Sequence, residues 1–387
     1  MVTKRTFGLD LLRAYAIVSV LYGHAYELIL NHIPASSAFL YWIPIWDGVT
    51  LFFVLSGFLI GKILFLSFDK PSLRVKDLYN FWIHRWTRTI PPYYAALTIT
   101  ATIWIYTGHE SISDLYKYYI FIQNWNWSHP SFFKEAWSLS IEEWFYLTVP
   151  IGFYFSFAFH RQRAAKAILI YIYTFIFLTI TYRAYISFNN NISTFIAWDS
   201  NLRKTVTTRM DSLAIGVFGA YLCIYKNYLW NNNKYTSITI GSLLLIIDKL
   251  IIFNTINTNI GQLYLNHINL FITPLAFLLF LPFCSSYNPH PKNPWRKHLK
   301  QHIIFISTIS YTLYLVNHTL VRELFFDSKT ALTLFGHPAN SIHNAILNYI
   351  FYHIIAFATA YIFWRFIENP ILIIRHDQRN PMPTTNA

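Results

Sequence analysis

Residues 9–30 read LDLLRAYAIVSVLYGHAYELIL. A helix needs about 20 mostly apolar residues to cross the hydrocarbon core of a bilayer, and this run is long enough. It follows Met-Val-Thr-Lys-Arg and lacks the shorter apolar stretch and small-residue cleavage site of a signal peptide, so it reads as a retained first span. Yet it carries Arg13 and His24. An ionisable group inside a span is costly to bury and is a functional candidate by default. Working outward, the whole chain has the same character. Of its 387 residues 55% are hydrophobic and 19% aromatic, while 12% are charged. A soluble domain carries about 25% charged residues, so this chain has too little polar surface to face water on all sides.

Ten stretches satisfy the length requirement: 9–30, 48–68, 89–106, 137–159, 166–188, 209–225, 236–253, 263–283, 303–324 and 345–367. Basic residues divide unevenly between alternate connections. One set holds Lys4, Arg5, Lys70, Arg74, Lys76, Arg85, Arg88, Arg161, Arg163, Lys166, Lys226, Lys234, Lys292, Arg296, Lys297, Lys300, Arg375 and Arg379. The other holds only Lys117, Lys134, Arg203, Lys204 and Lys329. Cytoplasmic loops are the ones enriched in Lys and Arg. The expected fold class is therefore an all-α integral membrane protein, one bundle of about ten transmembrane helices with both termini cytoplasmic. The membrane domain is expected over 1–374. A short disordered cytoplasmic tail is expected over 375–387, which is polar and contains proline.

The net charge of +13 is explained by this topology. No basic helix or zinc pattern points to nucleic acid. Cys223 and Cys284 lie in or beside apolar runs and imply no disulfide framework. No P-loop, HExxH or G-x-S-x-G motif is present, and the histidines show no metal spacing.

The ionisable groups in the spans then sort by depth. Arg13 and His24 are eleven residues apart, which is about 20° off three full turns and about 16 Å along the axis. They share one helix face, with Arg13 near the cytoplasmic surface and His24 in the outer half. Helix–helix glue is the competing reading of such a histidine. Arg85 and Arg88, at i and i+3 in HRWTRTIPPYY, share a face at the cytoplasmic entry of the third span. Two guanidinium forks suit phosphate, and they equally suit ordinary anchoring at anionic headgroups. Pro91 and Pro92 follow, where a helix kinks or ends. Glu142 and Glu143, in WSLSIEEWFYLTVP, are adjacent carboxylates about 100° apart on a helix. One of them beside His24 would orient its ring, while an interfacial acidic pair is the bland alternative. Arg209 and Asp211 open the sixth span, and Asn317 and His318 lie past the middle of the ninth. Placing His24, Glu142, Glu143, Asp211 and His318 in the outer half and Arg13, Arg85 and Arg88 at the inner end implies a site with two mouths.

Seven stretches resemble the acyltransferase 3 family of membrane O-acyltransferases, in family order. They are FGLDLLRAYAIVSVLYGHA at 7–25, GVTLFFVLSGFLIG at 48–61, FWIHRWTRTIPPYY at 81–94, WSLSIEEWFYLTVP at 137–150, RMDSLAIGVFGA at 209–220, ISYTLYLVNHTLV at 309–321 and FWRFIENPIL at 363–372. The resemblance implies a multi-pass protein of the bacterial inner membrane. It implies acyl transfer, usually of acetyl, from cytoplasmic acetyl-CoA to a carbohydrate such as O-antigen of lipopolysaccharide, capsule or exopolysaccharide, with no tightly bound cofactor. The family's arginine–ten residues–histidine motif falls on Arg13 and His24, its paired arginines on Arg85 and Arg88, and its tryptophan–serine–glutamate stretch on Trp137, Ser138, Glu142 and Glu143. Asp10, Tyr146, Arg209, Asp211, Asn317 and His318 are candidates for substrate contact or support. Thr50 stands where many members carry aspartate, and Trp144 replaces a common glutamine. The family's ninth-span histidine aligns with Asn317. His318 comes one place later, about 100° further around an α-helix, which puts a family role for it in question.

On this reading His24, oriented by Glu142 or Glu143, is the catalytic group. It acts either as general base for direct transfer or as an acylated intermediate. Arg85 and Arg88, with Arg13, would hold the phosphates of acetyl-CoA. A transporter or flippase for a glycan or small anion also fits buried charges along a two-mouthed path.

Overall fold

The computed structural model describes residues 5–30, 46–70, 72–108, 112, 114–256, 258–290, 293–327 and 342–373; the expected tail at 375–387 lies outside them. Helix is the only regular structure among the described residues. That follows from the medium, since a helix satisfies every backbone N–H and C=O within its own segment where no water is at hand. Ten long helices carry the architecture: α1 Phe7–Leu30, α2 Gly48–Phe68, α3 Val75–Tyr106, α4 Ala136–Phe159, α5 Ala164–Asn189, α6 Asp211–Tyr225, α7 Lys234–Thr255, α8 Leu270–Ser286, α9 Pro294–Val316 and α10 Ile342–Phe363. Each expected stretch overlaps one of them. By length and composition, six segments among the described residues are long and apolar enough to cross a bilayer: Gly48–Phe68, Arg161–Asn189, Lys234–Thr255, Asn259–Ser286, Pro294–Leu324 and Ala345–Ile373.

Several boundaries differ from the sequence expectation, two of them at candidate residues. The third helix begins at Val75 and runs through Pro91 and Pro92 to Tyr106, so Arg85 and Arg88 sit inside a helix and not at its start. The sixth span breaks at Met210, between a turn Val206–Arg209 and α6.

The centre of the bundle is α2, packed most extensively on α6, with α1, α8 and α4 around it. Small residues bring these helices together. A Cβ on Gly57 would collide with the Leu213 carbonyl, and one on Gly216 with the Val54 carbonyl. The two backbones therefore touch, which maximises van der Waals packing where lipid removes the hydrophobic drive between helices. Gly8 does the same against the Cys284 carbonyl, docking α1 on α8. The outer helices present apolar side chains to the surroundings, such as Phe177, Leu178 and Phe188 on α5, Leu243, Ile246 and Ile247 on α7, and Leu347, Ile350 and Ile354 on α10. In water these continuous faces would be an aggregation liability; against lipid tails they are ordinary.

One buried ion pair stitches the interior. Arg183 on α5 donates to Asp211 at 2.8 Å, both 1% or less exposed. Removing either partner of such a pair typically costs about 3–5 kcal/mol. Asp211 is thereby committed to holding α5 against α6.

Candidate active site

α1 delivers His24 to the floor of a cleft of about 650 Å³. The ring is held by α9: His24 Nδ1 and Asn317 Oδ1 are 2.6 Å apart. The amide orientation is fixed by its other end, because Asn317 Nδ2 donates to the carbonyls of Leu313 at 2.9 Å and Tyr314 at 2.7 Å. An amide oxygen only accepts. Nδ1 therefore carries a proton, and in the neutral ring Nε2 keeps its lone pair, the tautomer a general base requires.

This corrects the expectation that Glu142 or Glu143 orients His24. On α4, Trp137 lines the cleft, but Glu142 lies five residues further along, about 7.5 Å deeper at 1.5 Å per residue. There it accepts from the Tyr146 hydroxyl at 2.9 Å and stands 4.0 Å from Arg85. Glu143 is buried beside Thr89 and Trp86. The cleft thus holds His24, His318, Trp137 and Arg209, and not Glu142, Glu143 or Asp211.

His318 is the second correction. Its ring packs edge-on to His24, centroids 4.3 Å apart, and it lines the cleft. The 100° offset assumed α-helical geometry, but the chain leaves it at Asn317 for the π-helical segment Asn317–Asp327. A turn closed by i→i+5 hydrogen bonds spreads more residues around its circumference, so neighbouring side chains diverge less; such segments recur at functional sites. Asn317 and His318 both reach the His24 ring, one by a hydrogen bond and the other by an edge contact. Glu135, which sequence reasoning passed over, anchors this segment. Its carboxylate accepts from the Thr319 hydroxyl at 2.6 Å and from the Thr319 N–H at 3.2 Å.

An ionic network, of whose charged groups the sequence reading named only Arg209 as a candidate, lines another part of the cleft. Asp47 caps α2, accepting from the N–H groups of Val49 and Thr50 at 3.0 and 3.1 Å, and pairs with Arg203 at 3.1 Å. It supplies, one turn earlier, the carboxylate that Thr50 lacks. Thr50 in turn accepts from Arg209 at 2.5 Å. Arg203 also meets Asp199 at 2.8 Å and lies over the Trp137 ring, 5.1 Å from its centroid. Burial alone would raise the Asp199 carboxyl, but Arg203 and Lys204 outweigh it and hold it below the usual value. The only hint in the sequence was the exception to the charge rule, two basic residues in an outer loop.

At the other end of α1 the arginines converge. Arg13 lies within electrostatic reach of Arg88, Asp10, Arg5 and Arg85. Asp10 accepts from Arg5 at 2.6 Å and from Ser307 at 2.7 Å. Tyr146 is the hub on the α4 side, its hydroxyl 2.6 Å from Ser56 and from Arg85, with the Arg85 guanidinium 4.2 Å above its ring. Arg85 Nε is buried with no hydrogen-bond partner. Ser138 is spent on Tyr314, at 2.7 Å. Among the described residues no group of His, Cys, Asp and Glu could hold a metal ion.

Fold and site together define a multi-pass helical membrane protein with a tautomer-fixed histidine in a cleft at one end and an arginine cluster at the other. The chain belongs to the acyltransferase 3 family, which it matches as an acyltransferase domain over residues 6–365. Among curated proteins it is 33% identical over 159 residues to the peptidoglycan O-acetyltransferase OatA of Listeria monocytogenes. It is 32% identical over 160 residues to YrhL of Bacillus subtilis. Each match covers 37% of this chain and 23% of the relative, so the similarity spans about a quarter of those proteins. No solved structure matches.

Proposed function

We propose that the protein is a membrane O-acetyltransferase. It takes acetyl from acetyl-CoA on the cytoplasmic side and delivers it to a sugar hydroxyl of an envelope glycan on the other. The observation that carries this is the Asn317–His24 pair, which leaves Nε2 of an intramembrane histidine as a base facing a cleft. Its helix begins among the arginines. The spacing of about 16 Å between Arg13 and His24 along α1 suits the extended arm of the donor. Arg85 and Arg88 bind the phosphates, with Arg85 Nε as the unsatisfied donor.

In the transfer itself His24 Nε2 takes the proton of the acceptor hydroxyl as its oxygen attacks the acetyl carbon. The C–O bond forms, the C–S bond breaks, and the thiolate leaves to receive the proton from His24. Positioning both substrates about one helix converts a bimolecular encounter into a step within one complex. Both ends of the chain and the loops rich in Lys and Arg face the cytoplasm in this reading, in a cytoplasmic membrane crossed ten times. O-antigen, capsule, exopolysaccharide and peptidoglycan all present such hydroxyls, and the relative OatA carries peptidoglycan in its name.

The test is mass spectrometry of envelope glycans from a strain lacking the protein, complemented with wild type or His24→Ala. A glycan should lose an acetyl increment in the deletion, regain it with wild type and stay without it with His24→Ala. Identical glycans in all three strains would remove the proposal.

A further inference from the structure

On α7, Gly241, Leu245 and Asp248 are buried, at i, i+4 and i+7, one stripe against α8. The stripe ends in a carboxylate that is 4% exposed and lines the same cleft as His24. A carboxylate in an apolar helix is costly unless hydrogen-bonded. Its donors come from the segment leading into α8 and from α8 itself. The Tyr264 hydroxyl lies 2.5 Å and Asn269 Nδ2 2.9 Å from Oδ1, while the Thr273 hydroxyl lies 3.4 Å from Oδ2. All three are neutral. A carboxylate accepts about four hydrogen bonds, so Oδ1 is filled and Oδ2 has only one long contact. Structural glue would need none of this capacity on a cleft wall.

Trp46 lines the cleft too. Its indole N–H is bound by the Leu245 carbonyl at 3.2 Å, one turn of α7 before Asp248, which fixes the ring beside the carboxylate. A charge-assisted acceptor next to an aromatic face matches the two sides of a sugar ring, its hydroxyl edge and its C–H face. The same wall carries Lys249, whose Nζ lies 5.7 Å from the centroid of the Trp46 ring, and Asp47 stands within electrostatic reach of Asp248, so the charges near the carboxylate are of both signs.

We propose that Asp248 and Trp46 form an acceptor subsite, in which Oδ2 takes hydrogen bonds from hydroxyls of a sugar and the indole packs on that sugar's apolar face. This rests on the reading of the cleft as the acceptor site. The subsite sets which glycan is modified, while His24 performs the transfer.

The experiment compares Asp248→Asn and Trp46→Ala with wild type in the deletion strain, measuring ester-linked acetate on the envelope glycan. Membrane level and CoA affinity are measured on the same proteins in detergent. Asparagine keeps the shape and an acceptor for Tyr264, but loses the charge. The expected result is at least a 10-fold loss of ester in both variants, with membrane level and CoA affinity within 2-fold of wild type. Wild-type ester content in Asp248→Asn overturns the subsite alone. Ester, level and CoA affinity falling together overturn it in favour of a structural role. No ester difference between wild type and deletion removes the acetyltransferase reading, and the subsite with it.

Discussion

Replacing Asn317 by alanine tests the link on which the chemistry depends. In the native protein the Asn317 amide accepts at 2.6 Å from His24 and donates twice to its own helix. Tyr352 supplies a further contact to Oδ1, at 3.3 Å. Alanine removes the acceptor but leaves the His24 side chain in place. The ring then loses one hydrogen bond, about 0.5–1.5 kcal/mol net, and with it the preference for the Nδ1–H tautomer. A base lost altogether lowers the rate by about 10²–10⁴-fold; a base present but free to rotate or change tautomer should lose part of that, about 10–100-fold, or about 1.4–2.7 kcal/mol. The assay is transfer of labelled acetyl into glycan by membranes containing equal amounts of protein, with CoA binding measured separately. The defect should lie in turnover, since Asn317 is remote from the arginine cluster. A variant within 2-fold of wild type would refute the reasoning and make the pair helix–helix glue.

Three further outcomes are expected. His24→Gln should abolish transfer while melting in detergent stays near wild type, because glutamine hydrogen-bonds but does not take the proton; substantial residual activity would show that imidazole is not needed. Arg85→Ala and Arg88→Ala should each weaken CoA binding by about 10–150-fold, the worth of a charge-assisted contact of about 1.5–3 kcal/mol. Arg88→Lys should restore only part of it, and unchanged calorimetric affinity in the double alanine variant would leave the pair as topology anchors and favour a transporter. Gly216→Val should reduce thermal stability by more than the about 1–3 kcal/mol typical of overpacking, since the new atoms meet the Val54 carbonyl and not a yielding side chain; a folded, wild-type-like melt would mean α2 and α6 are not in backbone contact.

Much of this was legible in the chain itself. Apolar run length placed a helix at every expected span, because helix is the form in which a lone segment satisfies its own backbone in lipid. The eleven-residue spacing of Arg13 and His24 placed them on one face, and the i, i+3 spacing did the same for Arg85 and Arg88, since both depend only on helical periodicity. The partners of these groups were not legible, because they come from helices far away in sequence. Asn317 lies 293 residues from His24, and which side chain meets the imidazole depends on how α9 is rotated against α1. The chain turns π-helical at Asn317, and Glu135 holds Thr319 two residues further on. Depth was misjudged for the same reason. Glu142 follows Trp137 by only five residues, yet that axial step carries it out of the cleft and into the arginine cluster. Periodicity within a helix is a local property that sequence determines; the packing that selects one partner for His24, and a sugar-facing wall at Asp248, exists only once the helices are assembled.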